Sequence, residues 1–232
     1  MIGLIVGWAA LAGGALAQDA PRYPVEIEPE DFVTVVDNPY LPLKPGSRWV
    51  YEGTLLDGTV EHNEVEVLSE TRLIQGVTTT VVRDTVVVDG VIVEATLDFY
   101  AQDEDGNVWY FGEEVQNYVN GVFENTGGSW MAGADGAEPG LVMFAVPSAH
   151  VGETFQQEYY PGEAEDRGVL LSVTGSAEVP AGAFEALVLT YDFTPLDPEA
   201  HEIKYYAEGV GAIKTIDLTT GETFELIAFN GA

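Results

Sequence analysis

From residue 47 onward the chain alternates. Val65 and Val67 fall on one side of an extended segment, with Glu64 and Glu66 on the other. That is the period-two pattern of a strand with one covered face. Apolar and Thr/Val-rich runs follow one another, separated by the turn dipeptides Asp57-Gly58, Gln75-Gly76, Asp89-Gly90 and Asn120-Gly121. Gly and Asn tolerate the positive φ that tight hairpins need. The pattern predicts strands over 48–52, 59–68, 77–88 and 91–102. A hairpin at Asp105-Gly106-Asn107 returns through the aromatic run Val108 to Phe111, and 115–125 reads as another. Further strands are predicted over 153–160, 167–179, 183–193, 201–206, 212–218 and 223–229. In 183–193, Leu187, Leu189, Tyr191 and Phe193 share one face. No stretch carries a 3.6-residue period. Roughly ten to twelve strands with short connections predict an all-β fold, an antiparallel meander curled into a barrel, half-barrel or sandwich.

Three segments depart from this pattern. Residues 1–17 are apolar and end in Ala15-Leu16-Ala17, the small-x-small signature of a signal-peptidase site, with Gln18 as the expected new terminus. The run is shorter than the ~20 residues that span a bilayer, so no transmembrane span is expected after cleavage. The n-region carries no Lys or Arg. Residues 18–46 are Pro-rich, with Pro21, Pro24, Pro29, Pro39, Pro42 and Pro45, which excludes a long helix. The stretch from Asn38 to Gly46 reads as an ordered loop packing Tyr40 and Leu41 against the single β domain assigned to 47–232. Residues 127–140 are Gly-rich and too long for an ordinary hairpin loop, with Trp130 as their apolar anchor.

Charge narrows the partners. Asp and Glu number 39 against 8 Lys and Arg, a formal net charge of −31. Nucleic acid and anionic membrane surfaces are disfavoured, while cations and basic partners are favoured. The chain has no Cys, so neither a disulfide framework nor thiol catalysis is available.

Two acidic clusters are candidate cation sites. Asp103-x-Asp105-x-Asn107 has the spacing of the first ligands of a calcium loop, with Glu114 at the twelfth position. The sixth position needs Gly and holds Val108, which excludes an EF-hand and leaves a looser hairpin site. Glu158, Glu163, Glu165 and Asp166 surround a Pro-Gly turn and, with Asp135 and Glu138 of the Gly-rich loop, could hold a structural calcium, the one cofactor the sequence suggests. His62, His150 and His201 lie far apart and form no ligand pattern. Ser129 misses the nucleophile elbow, because the last Gly of that motif is Met131 here. Carboxylate pairs for glycoside hydrolysis are a third possibility among so many acids. The aromatics Trp49, Trp109, Tyr110, Phe111, Trp130, Tyr159, Tyr160, Tyr205 and Tyr206 are candidate lining for an apolar pocket in the curved sheet, with the Gly-rich loop as its lid.

Several phrases combine into a resemblance: Pro42 to Tyr51, Tyr100 to Gly112, Gly128-Ser129-Trp130, Gly162 to Asp166, and Lys204 to Gly211. Together they resemble a group of exported bacterial proteins of unassigned function. The first and last are also similar to lipoprotein carriers that hold an acyl chain in a curved antiparallel sheet. The resemblance implies a compartment, periplasmic or extracellular, and a fold, but no catalytic residues. The expectation is an exported, non-enzymatic protein holding a hydrophobic or amphiphilic ligand. The alternatives are a calcium-stabilised envelope module contacting another envelope protein, and a carbohydrate-active enzyme.

Overall fold

The computed structural model describes residues 25–231. The expected signal peptide and its cleavage site lie outside them. In chain order the strands are β1 (Phe32–Val33), β2 (Arg48–Thr54), β3 (Val60–Ile74), β4 (Val77–Val88), β5 (Val91–Asp103) and β6 (Val108–Val119). There follow β7 (Val122–Asn125), β8 (Trp130–Met131), β9 (Glu138–Met143), β10 (Thr154–Gln156) and β11 (Glu158–Tyr159). The last five are β12 (Arg167–Val179), β13 (Gly182–Thr194), β14 (Asp197–Ala207), β15 (Gly211–Asp217) and β16 (Thr223–Asn230). Two single turns of 3-10 helix, Pro29–Asp31 and Pro147–Ala149, are the only helices among the described residues.

All sixteen strands belong to one antiparallel sheet that curls into a nearly closed barrel. One meander runs β2 to β6 and a second runs β12 to β16. The last strand pairs with the first long one, setting Phe229 opposite Trp49 and Asn230 opposite Arg48. The turn dipeptides behave as read. Gln75-Gly76, Asp89-Gly90 and Asn120-Gly121 all have positive φ at both positions, the geometry that matches the twist of the flanking strands.

The strand number exceeds the expected ten to twelve, because β1, β7, β8, β10 and β11 are only two to four residues long. Periodicity does not register over so short a stretch. The strand expected over 153–160 is instead two strands meeting at Gln157. β10 pairs with β12, setting Phe155 opposite Gly168. β11 pairs with β9, setting Tyr159 opposite Glu138. One six-residue segment thus joins the two margins of the sheet. Glycine makes the approach possible: a Cβ on Gly140 would lie 2.0 Å from the Gln157 carbonyl oxygen, and one on Gly168 would lie 2.4 Å from the Phe155 ring.

The sheet is buried on both faces of its first meander. The inner cluster joins Val67, Val82, Leu170, Leu187, Val188 and Leu226. The outer cluster joins Val81, Phe99, Phe111 and Trp130, covered by Ile27 and Phe32 from the Pro-rich segment. One barrel end is plugged by the 36–46 loop. Val36 bridges Leu43, and buried Asn38 donates through Nδ2 to the carbonyls of Gly106 and Phe144. Its Oδ1 accepts from the Tyr40 amide. Tyr40 and Leu41 pack on the inner cluster as expected. On β13, Leu187 and Leu189 both lie against Gly175 and Tyr191 stacks on Phe193, so these four share a face, while Val188, Thr190 and Asp192 are buried on the other. Thr190 and Asp192 stand opposite Lys204 and Glu202 on β14, while Tyr191 stacks on His201 and Phe193.

Candidate ligand-binding cavity

A cavity of about 530 Å³ occupies the barrel interior above the plug. Leu41 and Leu43 of the plug form its floor with Trp49 and Tyr206. Glu61 and Phe224, one residue in from the turns at the other end, mark its upper limit. That far end carries exposed apolar side chains on its hairpin turns, among them Leu56, Ile92, Val122 and Phe123.

The walls follow from strand alternation. On β2 to β5 the outward positions form ion pairs: Arg48 with Glu64, Arg83 with Glu66 and, across to β6, Arg72 with Glu114. The inward positions carry Tyr51, Asn63, Val65, Val82, Asp84 and Asp98. Two carboxylates therefore sit in phase with buried valines. Asp98 faces Val82 across the strand pair and Asp84 faces Thr96, so the two acids are diagonal neighbours on one surface. Asp98 Oδ1 accepts a hydrogen bond from the Tyr110 hydroxyl at 2.6 Å. Asp84 Oδ1 and the amide oxygen of Asn63 are buried without a hydrogen-bond partner among the described residues.

The other wall supplies Glu158, Asp166, Glu202 and Lys204, the one basic lining side chain among the described residues. Lys204 Nζ lies 3.2 Å from Asp192 and 3.3 Å from Glu202, so its charge is already matched. Burial lowers its pKa, but the charges of Asp192 and Glu202 outweigh that and hold it well above the ordinary value.

Electrostatically the cavity is an acid pocket short of positive charge. Burial, then the neighbouring Asp98, pushes Asp84 up to about 8. Burial pushes Asp98 up to about 7, partly opposed by the Tyr110 hydrogen bond. Burial and Glu94 push Glu113, on β6 beside this wall, to about 7. Glu158 is raised well above the usual carboxylate range by burial and Asp166, and burial raises Asp166 as well. These five groups shift in the same direction. A dry site disfavours the charged form, and like neighbours add to that.

The expected site residues divide. Trp49, Tyr110 and Tyr206 line the cavity, while Phe111 and Tyr160 belong with the outer cluster. Trp109 lies on the outer face against Phe32, its Nε1 donating to Asp103. Trp130 is buried in the outer cluster, edge-on to Tyr110, so the Gly-rich loop covers the outside of the sheet and is no lid over the interior. Tyr159 is in β11 of the seam, and Tyr205 is half-buried against the inner cluster. Neither lines the cavity. The acidic residues are also dispersed. Asp103 accepts from the backbone and side-chain nitrogens of Asn107, so its oxygens staple the turn, and Asp105 is exposed at the turn tip. Glu165 accepts from the Gly162 amide, Glu163 is exposed, and of that cluster Glu158 and Asp166 reach the cavity. Among the described residues no three His, Cys, Asp or Glu side chains group closely enough to hold a metal ion.

Asp84, Asp98, Tyr51, Tyr100 and Lys204 escaped sequence reading. Their signal is a polar or phenolic residue at a position in phase with buried valines. It becomes visible only once each strand's inner face is known.

No family model matches the chain, and no curated protein matches it. Two solved structures are similar to it in outline. One is a protein provisionally described as exported, with a YmcC-like fold, from Bacteroides fragilis. It has 13% identity and a TM-score of 0.48, over 83% of this chain and 99% of that one. The other is a protein provisionally described as a lipoprotein from Parabacteroides distasonis. It has 14% identity and a TM-score of 0.42, over 82% of this chain and 98% of that one.

Proposed function

We propose that this chain is an exported, non-enzymatic binding protein that holds a small amphiphilic ligand inside its barrel. The observation that carries the reading is the cavity itself: about 530 Å³ inside a sheet that otherwise packs tightly. That volume lies in the range of small-molecule sites, which combine apolar walls with a few placed polar groups. The floor offers Trp49, Leu41 and Leu43 for an apolar body, and the walls offer carboxylates and phenols for a polar head. The export half rests on the apolar run and small-x-small site at residues 2–17.

Catalysis by paired carboxylates has less support. Acid–base chemistry needs neighbouring groups whose environments push their pKa values apart. Asp84, Asp98, Glu158 and Asp166 all move up together.

Two measurements test the reading. Titration with a naphthylamine dye that fluoresces in apolar surroundings is expected to saturate at one dye per chain. Val65→Trp, which fills the cavity, is expected to abolish the signal while the protein stays folded. A dye that never saturates, or binds the Trp variant equally, removes the cavity as the binding site. N-terminal sequencing of protein secreted from a bacterial host is expected to begin at Gln18; an intact Met1 in that fraction removes the cleavage reading.

A further inference from the structure

Granting that the interior is a binding site, we infer that its ligand is an organic cation: an ammonium head seated at Asp84 and Asp98, with an apolar body directed to the Trp49 floor. Four observations carry this.

First, among the described residues the cavity is lined by six carboxylate side chains and one lysine. That lysine is held by Asp192 and Glu202. The arginines of the first meander all point outward to Glu64, Glu66 and Glu114. Among the described residues no basic side chain faces Asp84 or Asp98. Second, the unmet demand there is for a donor. Asp84 Oδ1 and Asn63 Oδ1, both acceptors in the cavity wall, have no partner among the described residues. A buried acceptor without a donor is costly, and an ammonium supplies both donors and charge. Third, the phenols of Tyr51, Tyr100, Tyr110 and Tyr206 line the same space. Two hydroxyls are already engaged, Tyr51 on the Ala212 carbonyl and Tyr110 on Asp98. Their rings remain available, and aromatic faces attract desolvated cations. Fourth, the carboxylates do not converge as ligands for an inorganic ion. The site suits a large, soft cation with an apolar body.

Binding is linked to protons. The groups facing Asp84 and Asp98 are Glu61 and Asn63 from β3, Glu94 from β5, and Glu113 and Tyr110 from β6. Tyr51 lies on the β2 side. Lys204, Glu158 and Asp166 stand on the opposite wall. Near neutral pH the two acids are partly protonated in the empty cavity. A bound ammonium favours their charged forms, so binding expels protons and tightens as pH rises toward 8.

The test is calorimetric titration of the full chain with octylammonium, octanol and octanoate, which share one tail and differ in charge. Octylammonium is expected to bind one site at least about tenfold tighter than octanol, with octanoate undetected. Its heat should depend on the buffer's ionisation heat, reporting proton release. Asp84→Asn keeps the shape and is expected to reduce octylammonium affinity about tenfold with octanol affinity unchanged. Glu61→Gln, nearer the mouth, is a second variant if the first fails to fold, with a smaller loss. Octanol or octanoate binding as tightly as octylammonium, or a variant that retains the full preference, overturns the cation inference and leaves the cavity reading standing. If none of the three binds and Trp49 fluorescence is unmoved, both fall.

Discussion

At the scale of single residues, the protein keeps carboxylates where valines would be ordinary. The cost is visible in the direction of their pKa values. A buried acid with a raised folded pKa is charged in the unfolded chain before it is charged in the folded one. Its stability contribution is complete below the ordinary carboxylate range and is lost as pH rises through its folded pKa. For Asp98 and Asp84 that loss extends to about 7 and about 8. Thermal melts without ligand should therefore show Tm falling from pH 5 to pH 8, and Asp84→Asn should flatten the upper part of the slope. A Tm that rises over this range would contradict the assignment of Asp84 and Asp98 as buried acids. Tyr110→Phe removes the donor that favours the charged form of Asp98. It is expected to cost about 1–2 kcal/mol at pH 8 and less at pH 5, read by denaturant titration. None of this was legible residue by residue. With 39 acids in the chain, Asp84 and Asp98 look like any others. Register shifts near Val86 and, against β6, between Asp98 and Tyr100 also reset the phase.

At the scale of elements, the turn chemistry was legible and the seam was not. Xaa-Gly dipeptides with positive φ marked the long hairpins, and Val/Thr runs marked the strands between them. Pairings such as β10 with β12 involve two or three residues and depend on distant parts of the chain, so no local pattern announces them. The aromatic motifs misled for a related reason. Trp130 is buried and Trp109 partly buried, but on the outer face, because the first meander is covered on both sides. Sequence marks them for burial without marking the face. The seam makes its own prediction. Gly140→Ala places a methyl against the Gln157 backbone and is expected to destabilise the protein by about 3 kcal/mol. Gly136→Ala meets no neighbouring atoms but keeps its left-handed φ of 87°, and should cost about 1 kcal/mol. Equal losses in the two variants, measured by urea unfolding, would show that the close approach at Gln157 does not matter.

At the scale of the whole molecule, a formal charge of −31 repels itself. Most cations in the structure are consumed in local pairs such as Arg48–Glu64 and Lys214–Glu225. Screening should relieve the remainder. Tm is expected to rise by roughly 3–8 °C between about 20 mM and about 500 mM NaCl. An unchanged Tm would mean the surface acids are spaced widely enough not to interact. The same salt series should weaken octylammonium binding only slightly, since a buried charge is screened less than an exposed one.

The closure by residues 154–159 also bears on how the protein avoids its own kind. Val77–Val88 reads Val-Thr-Thr-Thr-Val-Val-Arg-Asp-Thr-Val-Val-Val, a run with little net charge and neither proline nor glycine. Such a run readily stacks with copies of itself. In the barrel it has a neighbour on each side, β3 and β5. The margins that would otherwise lie bare, β9 and β12, are capped by five residue pairs. Peel that strip away and two lengths of unpaired backbone face solvent, open to strand addition by another molecule. On this view the short segment is a guard against polymerisation as much as a wall of the cavity.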